Sequence, residues 1–275
     1  MRLFSSRFAE LRIKCKEYGV GVACMEMSRR LVMIMSAVLL VAVFSVTRFF
    51  SSGDVGRKRY DENETDSLGK DNMESIDERE LVIVLDAGHG GRDPGKVGVD
   101  GQLEKDINLS IVIKLKEALE KDSEIKTKVI MTRTDDAGFY NEDTPNKKRE
   151  DMEKRCEIIE ANKADLVVSI HQNSYHSSSV KGAQVFYYEK SEKGKVLANK
   201  IQGHLVKGLS GGGKGRVEKA NDNYYLIMNV NSPAVIVECG FLSNPEESKL
   251  LTDESYQDKI VKAIVEGIRD YLQQY

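Results

Sequence analysis

The sequence predicts an α/β layered domain with a largely parallel sheet, carried behind a membrane-directed segment and a polar tether. Three observations predict it. From residue 81 onward, short Val, Ile and Leu runs alternate with longer stretches whose apolar residues recur every four positions. Three of the short runs end at or beside a side chain able to do chemistry, namely His89, His171 and Glu238. Open α/β sheets gather their sites at the carboxyl ends of strands, so these three residues would emerge together.

At 275 residues the chain suits one substantial domain with appendages. A charged fraction of 31%, a hydrophobic fraction of 40% and a net charge of -3 describe an ordinary globular protein and give no reason to expect nucleic acid as a partner. The absence of tryptophan argues against a carbohydrate module built on tryptophan platforms, although eleven tyrosines could do part of that work.

In chain order, residues 1–30 form a basic segment read as cytoplasmic, with seven Lys or Arg before an uncharged apolar run at 31–47. With Phe49 and Phe50, residues 31–50 are read as a transmembrane anchor. A cleaved signal peptide is the rival, disfavoured by the long amino-terminal segment and the lack of an Ala-x-Ala site after the core. Either way the remainder is delivered across a membrane. Residues 51–80 are polar, with no apolar period that could bury a face, and read as a flexible linker. The folded domain is placed at 81–275.

Within it, strands are expected at 81–86, 128–132, 165–170, 183–188 and 234–239, and helices at about 104–121, 147–163, 192–209 and 255–273. Ile107, Ile111, Leu115 and Leu119 give the first helix one apolar face, and Ile260, Ile264, Ile268 and Leu272 do the same for the last. The four cysteines make no CxxC pair. Cys156 and Cys239, the two inside the domain, read as small buried residues.

His89 sits in a glycine-rich turn after the first strand, where an unshielded imidazole suits a metal ligand or an anion cradle. A common strand-ending turn with one incidental histidine is the plainer account. His171 repeats the arrangement after the third strand, and the repetition favours a shared site over a structural histidine. Glu104 opens a helix, where an acid is favourable for electrostatic reasons alone. Together the three residues could form a catalytic zinc site: two neutral imidazoles and a carboxylate, with a position left for water. The HExxH helix is absent. Glu238, at the end of an apolar strand, should be desolvated and have a raised pKa, which suits a group that takes and returns a proton. Its alternative is a carboxylate paired with an arginine such as Arg133 or Arg155, or one capping a nearby turn.

Leu85-Asp-Ala-Gly-His-Gly-Gly91, the Glu104 helix, Ser169-Ile-His-Gln-Asn173 and Pro233-Ala-Val-Ile-Val-Glu-Cys-Gly-Phe-Leu-Ser-Asn244 resemble, in order, the motifs of the zinc-dependent N-acetylmuramoyl-L-alanine amidases of type 3. The resemblance covers about residues 81–273. It implies a mixed sheet flanked by helices on both faces, His89, Glu104 and His171 as ligands of one catalytic Zn²⁺, and Glu238 as the catalytic glutamate. It also implies peptidoglycan as substrate, cut between the lactyl group of muramic acid and L-alanine. The anchored layout and the Glu-Cys-Gly-Phe-Leu-Ser-Asn-Pro-Glu-Glu run resemble the germination-specific amidases of spore-forming bacteria. That likeness implies spore-cortex peptidoglycan as the target, a step towards muramic δ-lactam, and a place at the forespore envelope. Gln172 stands where many relatives have alanine, a departure expected to bear on substrate fit.

Other readings compete with this one. A catalytically silent, membrane-tethered wall-binding or regulatory protein would keep the fold without needing Glu238. A thiol hydrolase would use Cys239. Gly208 to Gly215 nearly spells a phosphate-binding loop but lacks the closing Ser or Thr and follows a helix rather than a strand. His176 is expected near enough to the site to touch substrate, and His204 is expected to face solvent. The segment from Lys181 to Tyr225 looks too short for a regulatory helical insert, so control is expected from location, timing or an activating partner protein.

Overall fold

The computed structural model describes residues 80–141, 143–209 and 215–274. The expected anchor at 31–50 and the linker at 51–80, except its last residue, lie outside the described residues, as does the centre of the glycine-rich loop at 210–214. No helix among the described residues is long and apolar enough to cross a membrane.

The elements run β1 (Leu81–Ala87), α1 (Glu104–Glu120), β2 (Thr127–Met131), α2 (Lys147–Ala161), β3 (Leu166–Asn173), β4 (Gln184–Tyr188), α3 (Glu192–Leu209), β5 (Lys219–Asn221), α4 (Tyr225–Met228), β6 (Ala234–Phe241), α5 (Pro245–Leu250) and α6 (Glu254–Leu272). They form one mixed six-stranded sheet of order β2-β1-β3-β6-β4-β5. The first four strands in that order are mutually parallel. β4 runs antiparallel to β6 and parallel to β5.

Alternation along each strand divides the sheet into two faces. Ile83, Leu85, Val168, Ile170, Val235, Val237 and Cys239 point into a core shared with α1, α3 and α6. Val84, Val167, Phe186 and Ile236 point the other way, against Ile159 of α2 and Leu226 and Ile227 of α4. The four-residue periodicity in α1 seals the first core. Ile111, Leu115 and Leu119 are wholly buried, and truncating any one to alanine should cost roughly 2–5 kcal/mol. Caps fix where helices begin: the Asp253 carboxylate accepts from the Tyr256 N–H at 2.9 Å for α6, and the Asn244 side chain accepts from the N–H groups of Glu246 and Glu247 for α5.

Two strands outrun their expected ends by two or more residues, and β1 by one. β3 continues through His171 to Asn173, and β6 continues to Phe241. Both are inner strands, and pairing persists through the polar residues because each has a neighbour there: His171 pairs with Glu238, and Asn173 with Phe241 after a register shift. The histidine is therefore held inside the ladder instead of following it. β5, α4 and α5 are too short to leave a periodic signature in the sequence.

Candidate active site

The site lies at the carboxyl ends of β1, β3 and β6, in a cleft of about 780 Å³. His89 occupies the left-handed region at φ +64°, a conformation costing a non-glycine residue roughly 1–3 kcal/mol unless its surroundings enforce it. Two buried arginines do so. Arg133 donates from Nε to the Ala87 carbonyl at 2.8 Å and from Nη2 to the carbonyls of Gly88 and Lys105. Arg155 donates from Nη1 to the Ala87 carbonyl at 2.9 Å and from Nη2 to the His89 carbonyl at 2.7 Å. Arg155 is itself held by Asp86 at 2.6 Å and Asp151 at 2.7 Å. Asp86 accepts further from Thr132 and Ser169, which together with Arg155 hold its carboxyl down at about 2 against the opposing effect of burial.

The His89 ring is oriented from both nitrogens. Nδ1 lies 2.8 Å from Oδ2 of Asp93, and Nε2 lies 3.2 Å from Oε1 of Glu104. Burial works against the charged ring, but the two carboxylates prevail and raise its pKa to about 9. Oε1 of Glu104 also lies 3.0 Å from Nδ1 of His171 and accepts from the Gln172 N–H, while Oε2 accepts from the Lys96 N–H at 2.7 Å. Glu104 is thus more than an acid at a helix start: its carboxylate is fixed by two backbone amides and shared between two imidazoles. Burial opposes its charge, and the two histidines hold it well below the usual carboxylate range. The imidazoles meet edge to face, 5.0 Å between centroids. Gly88 permits this, because a Cβ there would sit 2.2 Å from the His171 ring.

One ligand atom each from His89, Glu104 and His171 falls within 4.8 Å of the other two, a two-imidazole, one-carboxylate set that fits a zinc ion with a position left open. Glu238 lines the same cleft from β6. It is 7% exposed, its Oε1 lies 3.5 Å from the Tyr224 hydroxyl, and its Oε2 is buried without a hydrogen-bond partner. Burial and then the charge of Glu104 push its carboxyl up to about 7, against the lowering effect of the two imidazoles. Neither arginine reaches it among the described contacts, since both are engaged by the β1 turn and the acids beneath it.

A family model described as N-acetylmuramoyl-L-alanine amidase matches residues 83–270. The chain belongs to that family. The amidase is 38% identical over 193 residues to the germination-specific N-acetylmuramoyl-L-alanine amidase of Bacillus subtilis strain 168, a match spanning 69% of this chain and 79% of the relative. Among solved structures it resembles the CwlD amidase from Clostridioides difficile in complex with the GerS lipoprotein, with a TM-score of 0.67 and 43% identity over 71% of this chain and 100% of that one. The catalytic domain of CwlV from Bacillus (Paenibacillus) polymyxa var. colistinus gives a TM-score of 0.60 at 32% identity, covering 70% of this chain and 98% of that one. The fold and the amide-cleaving activity on peptidoglycan follow from membership.

The remaining candidates take these places in the amidase, and the His204 expectation needs correction. Gln172 is among the residues lining the cleft, but its side chain is turned away from the imidazoles. β3 alternation turns it to the α1 face, where it is 2% exposed and donates to Asn108 at 3.1 Å. His176 is exposed, lies against the Tyr175 ring at 4.0 Å and stands two residues beyond Ser174, which lines the cleft. His204 is not turned to solvent: its ring bridges α3 to Glu266 and Asp270 of α6 at 3.1 and 3.0 Å. Cys239 is wholly buried, as expected, on the face opposite Glu238, and burial raises its thiol pKa far above the range of a usable thiolate, which removes the thiol-hydrolase reading. Cys156 is buried as expected, its thiol pushed up to about 11. Sequence reasoning missed Asp93, Tyr224 and the part played by Arg133 and Arg155. Asp93 left a trace, an acid four residues from a turn histidine, whereas the arginines act across more than 40 residues of chain and left none.

Proposed function

We propose that the chain is a zinc-dependent amidase in which His89, Glu104 and His171 hold the ion and Glu238 moves the proton. The bond cut joins the lactyl carbonyl of N-acetylmuramic acid to L-alanine. The carrying observation is Oε2 of Glu238, a buried acceptor without a partner, lining the cleft that contains the two imidazoles and Glu104. An orphaned buried carboxylate oxygen is costly, and a reacting water would satisfy it.

Zinc in that position would act as a Lewis acid, lowering the pKa of a water and drawing charge from the scissile carbonyl. Glu238 accepts the water's proton as the oxygen attacks the lactyl carbon. As the C–N bond breaks, Glu238 returns that proton to the leaving nitrogen, releasing the lactyl carboxylate and a free L-alanine amino terminus. A pKa near neutrality suits both halves of this exchange, although a bound cation would lower it somewhat. Asp93 keeps Nε2 of His89 turned to Glu104, and Tyr224 faces the other oxygen of Glu238.

Residues 31–50 would anchor the chain, residues 51–80 would act as the linker, and residues 81–275 would work outside the cytoplasm at the forespore envelope. The likeness to the germination-specific amidase of B. subtilis supports the spore cortex as target and a step towards muramic δ-lactam. The C. difficile CwlD in complex with GerS supports a partner protein for this chain, and we assign that partner the activating role.

The test pairs zinc content of the purified chain with release of L-alanine amino termini from peptidoglycan, with and without chelator. Native chain should carry one zinc and release them in a chelator-sensitive way. Glu238→Gln should keep the zinc and lose at least about 100-fold in turnover. Zinc loss in that variant, or near-native turnover, would refute the assignment.

A further inference from the structure

His89, Glu104 and His171 come from three segments that meet where the sheet stops holding them together. The last pair between β1 and β3 is Ala87 with Ile170, so both histidines lie beyond it. On its other side β3 slips against β6. His171 pairs with Glu238 and Asn173 with Phe241, which leaves Gln172 alone opposite Cys239 and Gly240. A bulge of this kind re-aims side chains beside a site and disrupts the ladder locally. His171 therefore has a strand neighbour on one side alone, at the last pair before the slip.

Two buried amides continue the connection. Gln172 is 2% exposed and Asn108 is wholly buried. The Gln172 N–H donates to Oε1 of Glu104 at 3.0 Å, and its side-chain Nε2 donates at 3.1 Å to Oδ1 of Asn108, about one turn further along α1. Asn108 in turn donates from Nδ2 to the Gly88 carbonyl at 3.0 Å. One run of hydrogen bonds thus joins the residue after His171, the helix that carries Glu104 and the residue before His89. The arrangement is unfavourable for folding alone, because Oε1 of Gln172 is buried without a hydrogen-bond partner. Aliphatic side chains, such as Ile111 of α1 and Ile170 of β3 in the neighbouring core, would fill the same layer without leaving such an atom. Residues that break a local rule in this way concentrate at functional positions.

We infer that Asn108 and Gln172 are positioning residues that set the spacing of the three metal ligands before an ion arrives. This rests on reading His89, Glu104 and His171 as a zinc site. An ion held by three separate segments must order them on binding, and whatever freedom they keep beforehand weakens its affinity. The paired amides remove that freedom in advance. Each acts through a neighbour: Gln172 through the backbone it shares with His171, and Asn108 through α1 and the Gly88 carbonyl.

Zinc affinity of the full chain would be measured by competitive chelator titration, with urea unfolding of the zinc-free chain in parallel. Gln172→Met and Asn108→Leu keep side-chain volume and remove an amide, and each should bind zinc about tenfold more weakly. Asn108→Leu/Gln172→Met removes both members of the pair, so the stability lost in Asn108→Leu should largely return while zinc affinity stays at least about tenfold below native. Leu115→Ala, in the same core but outside the amide pair, should lose stability and keep native zinc affinity. Native affinity in Gln172→Met, or affinity that returns together with stability in the double variant, overturns the inference and leaves the metal site standing. Gln172→Met decides alone if the Asn108 variants do not fold. A native chain that takes up no zinc would refute the metal reading and the inference with it.

Discussion

Replacing Arg155 with methionine tests the support beneath the His89 turn. Arg155 and Asp86 are each 1% exposed and 2.6 Å apart, and the same guanidinium holds the carbonyls of Ala87 and His89. Removing one partner of a buried ion pair costs about 3–5 kcal/mol, mainly because the other charge is left uncompensated. A loss of about 4 kcal/mol is a large part of the 5–15 kcal/mol available to a typical domain. The effect should depend on pH. In the native chain the Asp86 carboxyl lies at about 2 instead of 3.8, which contributes about 2 kcal/mol above the unfolded-state pKa and is lost as pH falls through about 2. Without Arg155, burial remains and the pKa should rise above its unfolded value. The carboxylate then opposes folding as pH rises, so the gap between native and variant chains should widen from about pH 4 to neutrality. Urea unfolding at both pH values measures it. A gap below about 1 kcal/mol at neutral pH, or one independent of pH, would refute the reasoning. Asp86→Leu/Arg155→Met, which removes both charges, should recover a substantial part of the loss.

Gly88→Ala would bring a Cβ within 2.2 Å of the His171 ring, so zinc content should collapse while the far-ultraviolet spectrum stays native; retained zinc would mean the ring is not fixed there. Asp93→Asn should weaken zinc binding about 10- to 100-fold in a competitive chelator titration, because the carboxylate sets the His89 tautomer and orientation. In the native chain, zinc should displace a proton from His89, whose pKa is raised to about 9, so apparent affinity should rise with pH up to about that value. Tyr224→Phe removes a hydroxyl 3.5 Å from Glu238, and kcat should fall about threefold with KM little changed; an unchanged kcat would make that contact incidental.

The parts legible in the sequence were those written in local patterns. The four-residue repeat in Ile107, Ile111, Leu115 and Leu119 located α1 and its buried face, and the apolar runs before His89, His171 and Glu238 located three of the central strands. Strand ends proved harder, because His171 and Asn173 stay paired only through contacts with β6. The direction of the Gln172 side chain is set by strand alternation. Standing next to a ligand in sequence means facing away from it on a strand. His204 looked like a surface residue because Glu266 and Asp270 lie more than 60 positions away. The arginine support was illegible for the same reason. A guanidinium that binds backbone carbonyls leaves no residue type at the other end to recognise.

The two-faced sheet also limits how such a chain can diverge. His171 reaches the cleft because it shares a parity with Val167 and Ser169, while Val168 and Ile170 point into the apolar core and the Gln172 side chain turns to Asn108 of α1. Adding or deleting one residue within β3 would exchange the two sets, burying the imidazole and turning aliphatic side chains towards Glu104. Substitutions at these positions change one side chain at a time and can be sampled gradually. Length changes there act like a frameshift on the site, so lineages of this enzyme should vary in length between strands and keep the count within β1, β3 and β6 constant.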